Sequence, residues 1–340
     1  MNHREIEAKT DRGRNRSIRL LLVALRWGII IGLGYIFVKF FDLSEVKKHF
    51  SKKLLWAAIV LQPIQFLTFL IVSERFYHML KGGNLRRRDV FEGYVLSIGL
   101  NNVLPGRLSE FVKALYLKIK CGMSVATSVA ATVLERLIDF AILGSITVVS
   151  VSTLWHQAEQ SLPLGTAVVV LSIAAIFVLL NEAYLLKFTR FIPFERARRY
   201  LERGVHEGMA NVRKSGLGSI CVLSLILWSV SFLFVYLFLR LVIGETFLVR
   251  DGLLVFTGIA VGRAIPSLPA GVGTYEAAAT LALTFIGIPK EEAMAYAIAL
   301  HLSQLFLGAA LTLIFLAVDR GQVLPKVWSS LSREGSANVG

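Results

Sequence analysis

Four windows of this chain, Leu54–Val72, Leu164–Leu180, Gly216–Leu239 and Ala293–Val318, run without a charged side chain. Each is close to the roughly 20 residues that carry an α-helix across a bilayer core about 30 Å thick. Backbone polar groups at that depth must be satisfied within the segment, so such windows fold as helices. Hydrophobic residues make up 55% of the 340 positions and charged residues 18%, against about 25% charged in soluble domains. The expected class is an all-α polytopic membrane protein. The net charge of +14 does not point to nucleic acid: the basic residues gather in short segments between apolar windows, as the positive-inside rule requires. The same residues suit anionic lipid headgroups.

Two stretches break this pattern. The first is Asn101-Asn102-Val103-Leu104-Pro105-Gly106-Arg107-Leu108-Ser109-Glu110, and the second runs from Arg263 through Pro266, Pro269, Gly271 and Gly273 to Glu276. Proline cannot continue a helical ladder and glycine permits a sharp turn. Charged, broken helices at membrane depth are costly unless they line a polar cavity. A matched pair of such breaks points to the binding site of a transporter.

The order of segments gives about six full transmembrane helices plus two re-entrant, broken hairpins. Residues 1–19 form a basic tail expected in the cytoplasm. Residues 20–318 form the membrane domain, with one repeat over 20–154 and a second, inverted in topology, over 164–318. Residues 319–340 form a second cytoplasmic tail, and the membrane is expected to be a bacterial or archaeal inner membrane. The stretch from Arg75 to Arg88 is expected as a basic loop, and Asn181–Ser215 as a larger one. Lys47, Lys48, Lys52 and Lys53 fit this scheme poorly, because they fall in an external loop or an interfacial helix.

A long helix over about Val125–Leu154 carries Glu135, Arg136 and Asp139. Glu135 and Asp139 are four apart and share a face. Position 135 lies about 15 Å along that helix at 1.5 Å per residue, near the middle of the bilayer. An internal ion pair locking this helix to the Pro105 hairpin is one reading; a polar site for a headgroup or a proton is the other. Arg107, Glu110, Arg263 and Glu276 flank the breaks and are expected to converge on Glu135–Asp139. Arginine forks and helix N-termini both favour phosphate, so a phosphate-bearing lipid is the expected ligand. His301 is expected to make a core hydrogen bond rather than a proton relay. Trp56 and Trp155 sit near span ends as interfacial anchors. Cys121 and Cys221 have no metal spacing. Gly271-Val272-Gly273 does not follow a strand and is not a nucleotide loop. No metal and no cofactor are expected.

The two breaks, together with Ala131-Thr132-Val133-Leu134-Glu135-Arg136-Leu137-Ile138-Asp139, resemble the flippase-like integral membrane family, also called the lysylphosphatidylglycerol synthase transmembrane region. The resemblance covers about residues 20–318. It implies movement of an anionic lipid (a phospholipid, an aminoacyl lipid or a polyprenyl-phosphate-linked one) between leaflets, with Asn101, Asn102, Arg107, Glu110, Glu135, Arg136, Asp139, Arg263 and Glu276 around the path. Pro105, Gly106, Pro269, Gly271 and Gly273 would supply the hinges. The family's bifunctional members carry a C-terminal transferase domain. This chain ends too soon after its last span to hold one, so synthase activity is not expected, and a separate lipid-modifying transferase is the expected partner protein. The competing readings are a membrane-embedded enzyme or accessory subunit for lipid-linked glycosyl or aminoacyl transfer, and a scaffold without transport.

Overall fold

The computed structural model describes residues 43–80, 84–102, 108–154, 182–189, 195–264 and 269–319. The expected span over Leu164–Leu180, the first span, both tails, Trp155 and the residues Pro105, Gly106 and Arg107 lie outside them. Among the described residues the regular structure is helical: α1 Leu43–Lys48, α2 Lys52–Val60, α3 Gln62–Leu80, α4 Arg87–Asn101, α5 Leu108–Cys121, α6 Val125–Leu154, α7 Glu182–Thr189, α8 Glu195–Ser215, α9 Leu217–Ile243, α10 Val249–Ala264, α11 Thr274–Phe285 and α12 Lys290–Val318. A single 3-10 turn, Pro269–Gly271, precedes α11.

Three helical stretches, Lys52–Leu80, Leu217–Ile243 and Lys290–Val318, are long and apolar enough to cross a membrane. Their outward faces carry Trp56, Leu225, Phe306 and Leu313, all more than half exposed. Exposed apolar belts of this kind belong against lipid. The protein is an integral membrane protein. The first of these stretches is nearly continuous because Pro63 sits in the first turn of α3, where its missing N–H costs nothing. The Gln62 amide donates to Ala58 O at 2.6 Å and to Ser303 O at 3.1 Å. The expected loop at Arg75 is instead the last part of α3. The apolar positions Val72, Phe76, Met79 and Leu80 continue the helical face beyond the charge-free window.

Two apolar cores form, one toward each end of the bundle. One joins Leu54 and Ala57 of α2 to Phe238 of α9, Phe256 of α10, Tyr275 of α11 and Ala297 of α12. The other joins Phe76 and Met79 of α3 to Tyr94 of α4, Leu115 of α5, Leu134 of α6 and Met209 of α8. The contacts give each end an identity. At the first end, Val46 of α1 packs on Met294 and Ala295 at the start of α12. The Lys53 ammonium donates to Val242 O, near the C-terminus of α9, at 2.8 Å. A cation there complements the carbonyl end of a helix, which gives one of the poorly fitting lysines a structural task. At the other end lies α8, so the expected loop at 195–215 is an amphipathic helix packed on α6 and α3. Gly204 of α8 allows this contact, since a Cβ there would sit 2.5 Å from the Ala126 backbone.

The two broken hairpins enter from opposite ends. α4 and α5 have 15 and 14 residues, about 22 Å and 21 Å at 1.5 Å per residue, too short to cross a 30 Å core. α4 follows the C-terminus of α3 and α5 leads into the N-terminus of α6, and both α3 and α6 pack on α8. α10 and α11, with 16 and 12 residues, lie between the C-terminus of α9 and the N-terminus of α12, on which α1 packs. Each hairpin is a tight pair, and the pairing between halves is reciprocal. α4 packs on α12, while α10 packs on α6. The α4–α12 approach is close: a Cβ on Gly99 would meet Thr312 Oγ1 at 1.9 Å, and Thr312 Oγ1 itself donates to Val95 O at 2.7 Å. Small residues at such crossings let membrane helices approach backbone to backbone.

Candidate functional site

Between the two cores lies a cavity of about 760 Å³. Glu135, Arg136 and Asp139 face it from α6, Glu110 and Lys113 from α5, Arg75 from α3 and Arg263 from α10. Asn101 and Asn102, at the end of α4, and Pro269, Ala270 and Gly271 of the second break line the same space. The described residues flanking both breaks therefore reach the charged stretch of α6. Ser109 Oγ donates to Asn101 Oδ1 at 3.4 Å and Ser97 Oγ to Ser109 O at 2.9 Å, which ties the end of α4 to the start of α5.

The centre of the cluster is Arg75, a residue expected in a basic loop. Its side chain is 1% exposed. One guanidinium nitrogen, Nη2, donates to Glu135 Oε1 at 2.5 Å, and the other, Nη1, donates to Asp139 Oδ1 at 2.6 Å. Nη1 also donates to Ser224 Oγ at 3.1 Å. The planar fork of arginine spans two carboxylates one helical turn apart, a geometry that a lysine could not supply. Tyr94 Oη donates to Glu135 Oε1 at 2.6 Å and Trp228 Nε1 donates to Asp139 Oδ1 at 3.0 Å. Lys113, expected near the end of its helical limb, is buried with its ammonium 3.6 Å from Glu135 Oε2. It also lies 3.7 Å and 4.1 Å from the ring centroids of Phe76 and Tyr94, so cation–π attraction offsets part of its burial. The ion-pair reading of Glu135 and Asp139 is thus present in the structure, with Arg75 as the partner that the sequence reading did not supply.

A second, more open ion pair adjoins this one. Arg136 Nη2 is 3.1 Å from Glu110 and Nη1 is 3.4 Å from Asp139, and the Arg136 and Glu110 side chains are 38% and 25% exposed. Among the described residues that line the cavity, Arg75, Lys113 and Arg136 face three carboxyl groups, Glu110, Glu135 and Asp139, and Arg263 is a fourth basic side chain. Its Nη2 donates to the neutral Gln304 Oε1 at 2.5 Å, and its guanidinium lies 5.0 Å from the Tyr275 ring. Glu135 Oε2, Arg75 Nε and Arg136 Nε are buried without a hydrogen-bond partner among the described residues. Such groups retain capacity for water or a polar ligand.

Glu276 stands apart from the expected convergence. It is 8% exposed and does not line the cavity. Its Oε2 accepts the Gly273 N–H at 2.7 Å. The start of α11 is therefore capped by its own third residue, and this helix N-terminus is not free for an anion. Its Oε1 is 2.7 Å from His301 Nδ1. The core hydrogen bond expected of His301 is present.

A second cavity of about 430 Å³ lies between α6, α9 and α10, lined almost wholly by apolar side chains such as Ile142, Ile146, Leu225 and Phe232. Trp228 lines both cavities, its N–H on Asp139 and its ring among apolar residues.

Among known proteins, the model of the family described as Lysylphosphatidylglycerol synthase TM region matches residues 20–312. No curated protein matches the chain, and no solved structure does.

Proposed function

We propose, given that this chain belongs to the Lysylphosphatidylglycerol synthase TM region family, that it moves an anionic lipid between the leaflets of its membrane. The observation that supports this most is the cavity in which the described residues flanking both breaks meet the charges of α6. A headgroup needs a polar stopping point in the hydrocarbon core, and acyl chains need an apolar space beside it. The charged cavity and the apolar one, sharing Trp228, offer both. The Arg136–Glu110 pair, half-buried where the Arg75 pairs are fully buried, is the one that opens to admit a headgroup. Among the described residues, Arg263 supplies a further positive charge that favours an anion. We read the two halves as an inverted repeat, with α8 at the cytoplasmic face of an inner membrane on the strength of its arginines. A lipid-modifying transferase acting on the same lipid is the partner this reading calls for.

Two measurements test it. Lys48→Cys and Ala210→Cys place thiols at opposite ends of the bundle. Impermeant reagents should reach position 210 only from the cytoplasm and position 48 only from outside; the reverse pattern inverts the topology. In liposomes, the full chain should speed the exchange of tail-labelled fluorescent phosphatidylglycerol between leaflets, followed by dithionite quenching. Arg136→Gln should slow that exchange while leaving the protein folded. Properly folded protein that moves neither this probe nor labelled polyprenyl phosphate would refute the carrier reading.

A further inference from the structure

The second break is held by a group of buried side chains that the charged cavity does not use. His301 is 1% exposed, Tyr275 0% and Glu276 8%. The His301 ring stacks on Tyr275 with centroids 4.0 Å apart and planes 8° from parallel. Its Nδ1 is 2.7 Å from Glu276 Oε1 and its Nε2 is 3.2 Å from Ala270 O. Ala270 is the one residue other than glycine with positive φ among those described, at 63°. That backbone region is unfavourable for a residue with a Cβ and persists where neighbours hold it.

Hydrogen-bond bookkeeping fixes the protons here. Ala270 O only accepts, so Nε2 carries a hydrogen. Nδ1 and Glu276 Oε1 then share one more proton, as imidazolium with carboxylate or as imidazole with carboxylic acid. If that proton leaves, two acceptors face each other across 2.7 Å. The remaining hydrogen moves to Nδ1 to satisfy the carboxylate, and Ala270 O loses its donor. We propose that the Glu276–His301 pair is a proton-binding site whose occupancy latches the Pro269–Gly271 turn in its cavity-lining form. The latch stands on this geometry alone. Its role as the point where lipid movement is coupled to a proton rests on the carrier reading above. Ala270 and Gly271 line the charged cavity, and so does Gln304, three residues beyond His301 on the same helix. The charged or titratable groups facing His301 among the described residues are Glu276 and Tyr275 from α11, with Arg263 of α10 reaching it through Tyr275. α1, α2, α3, α4 and α9 also pack on α12, and among the described residues the hydrogen bonds and ion pair of His301 go to Ala270 and Glu276 rather than to a charged side chain of those helices.

The test uses the full chain with Cys121 and Cys221 replaced by serine. Val272→Cys, at an exposed position beside the break, is labelled with a maleimide, and its rate is normalised to that of Ala210→Cys on exposed α8. From about pH 5 to about pH 8, where histidine titrates, the normalised rate should rise about fivefold, the factor expected from losing one net hydrogen bond. The rise should vanish in Glu276→Gln and in His301→Gln, and persist in Tyr275→Phe, which keeps both protonatable groups. A flat profile in the parent protein, or an unchanged rise in folded His301→Gln, overturns the latch. In liposomes holding fluorescent phosphatidylglycerol, an imposed pH difference should bias the leaflet distribution of the probe. Movement of the probe that ignores the gradient overturns the coupling and leaves the carrier intact. A probe that never moves, alongside pH-dependent labelling, refutes the carrier for this lipid and sustains the proton site.

Discussion

Arg75→Leu should destabilise the protein by about 3–5 kcal/mol, the usual cost of removing one partner from a buried ion pair. It should appear as a lower thermal midpoint, or as loss of monodisperse protein in mild detergent. The mutation leaves Glu135 and Asp139, 0% and 6% exposed, facing the vacated space. Lys113 and Arg136 remain, but at 3.6 Å and 3.4 Å and without the fork that bridges both acids. The decisive comparison is the quadruple change Arg75→Leu, Lys113→Met, Glu135→Gln, Asp139→Asn. It removes the buried charges of both signs together, leaves the Arg136–Glu110 pair in place, and should recover most of the loss, because desolvation is then no longer imposed on stranded charges. A quadruple variant as unstable as the single one would place the loss in the packing around Val72 and Phe76, and the ionic account of this cluster would be wrong.

Arg263→Gln should have the opposite profile. Stability should change little, because the Arg263–Gln304 contact lies at an exposed position where such contacts contribute at most about 1 kcal/mol. Movement of the phosphatidylglycerol probe should fall by about 10- to 100-fold, the range corresponding to one charged hydrogen bond of about 1.5–3 kcal/mol. Arg263→Lys keeps the charge but not the fork, and should fall between the two. Exchange in Arg263→Gln equal to that of the parent would remove this residue from the path. Together the two variants separate the charges that hold the cluster from the charge that attracts cargo.

Much of this architecture follows from local chemistry. The helix expected over about Val125–Leu154 is present over those residues, because no charged residue interrupts the pattern on either side of its charged turn. The second break follows from proline and glycine chemistry, and Pro269 lines the same cavity as the acids of α6. Arg75 was hidden by the rule that makes topology legible. An arginine at the end of an apolar window ordinarily marks the start of a loop, and only the apolar spacing beyond it, at Phe76, Met79 and Leu80, signals that the helix continues. The basic segment around α8 was obscured in the same way. Its charges set its side of the membrane, while Met209 and Val212, both buried, set its packing. Glu276 illustrates a different difficulty. Three residues after a helix-starting glycine, a glutamate serves as well for capping as for binding, and the choice depends on His301, 25 residues further along the chain.

The reciprocal clasp between the halves has a consequence for biogenesis. The face of α4 that carries Gly99 rests on Thr312, and the Thr312–Val95 hydrogen bond joins residues 217 positions apart. A nascent chain inserting from its N-terminus makes the first hairpin long before the helix that covers it exists. Until α12 is released from the ribosome, that small-residue face stays open to lipid or to whatever chaperone shields it. Assembly therefore closes from the last segment backwards, and a chain truncated before α12 leaves both halves unfinished.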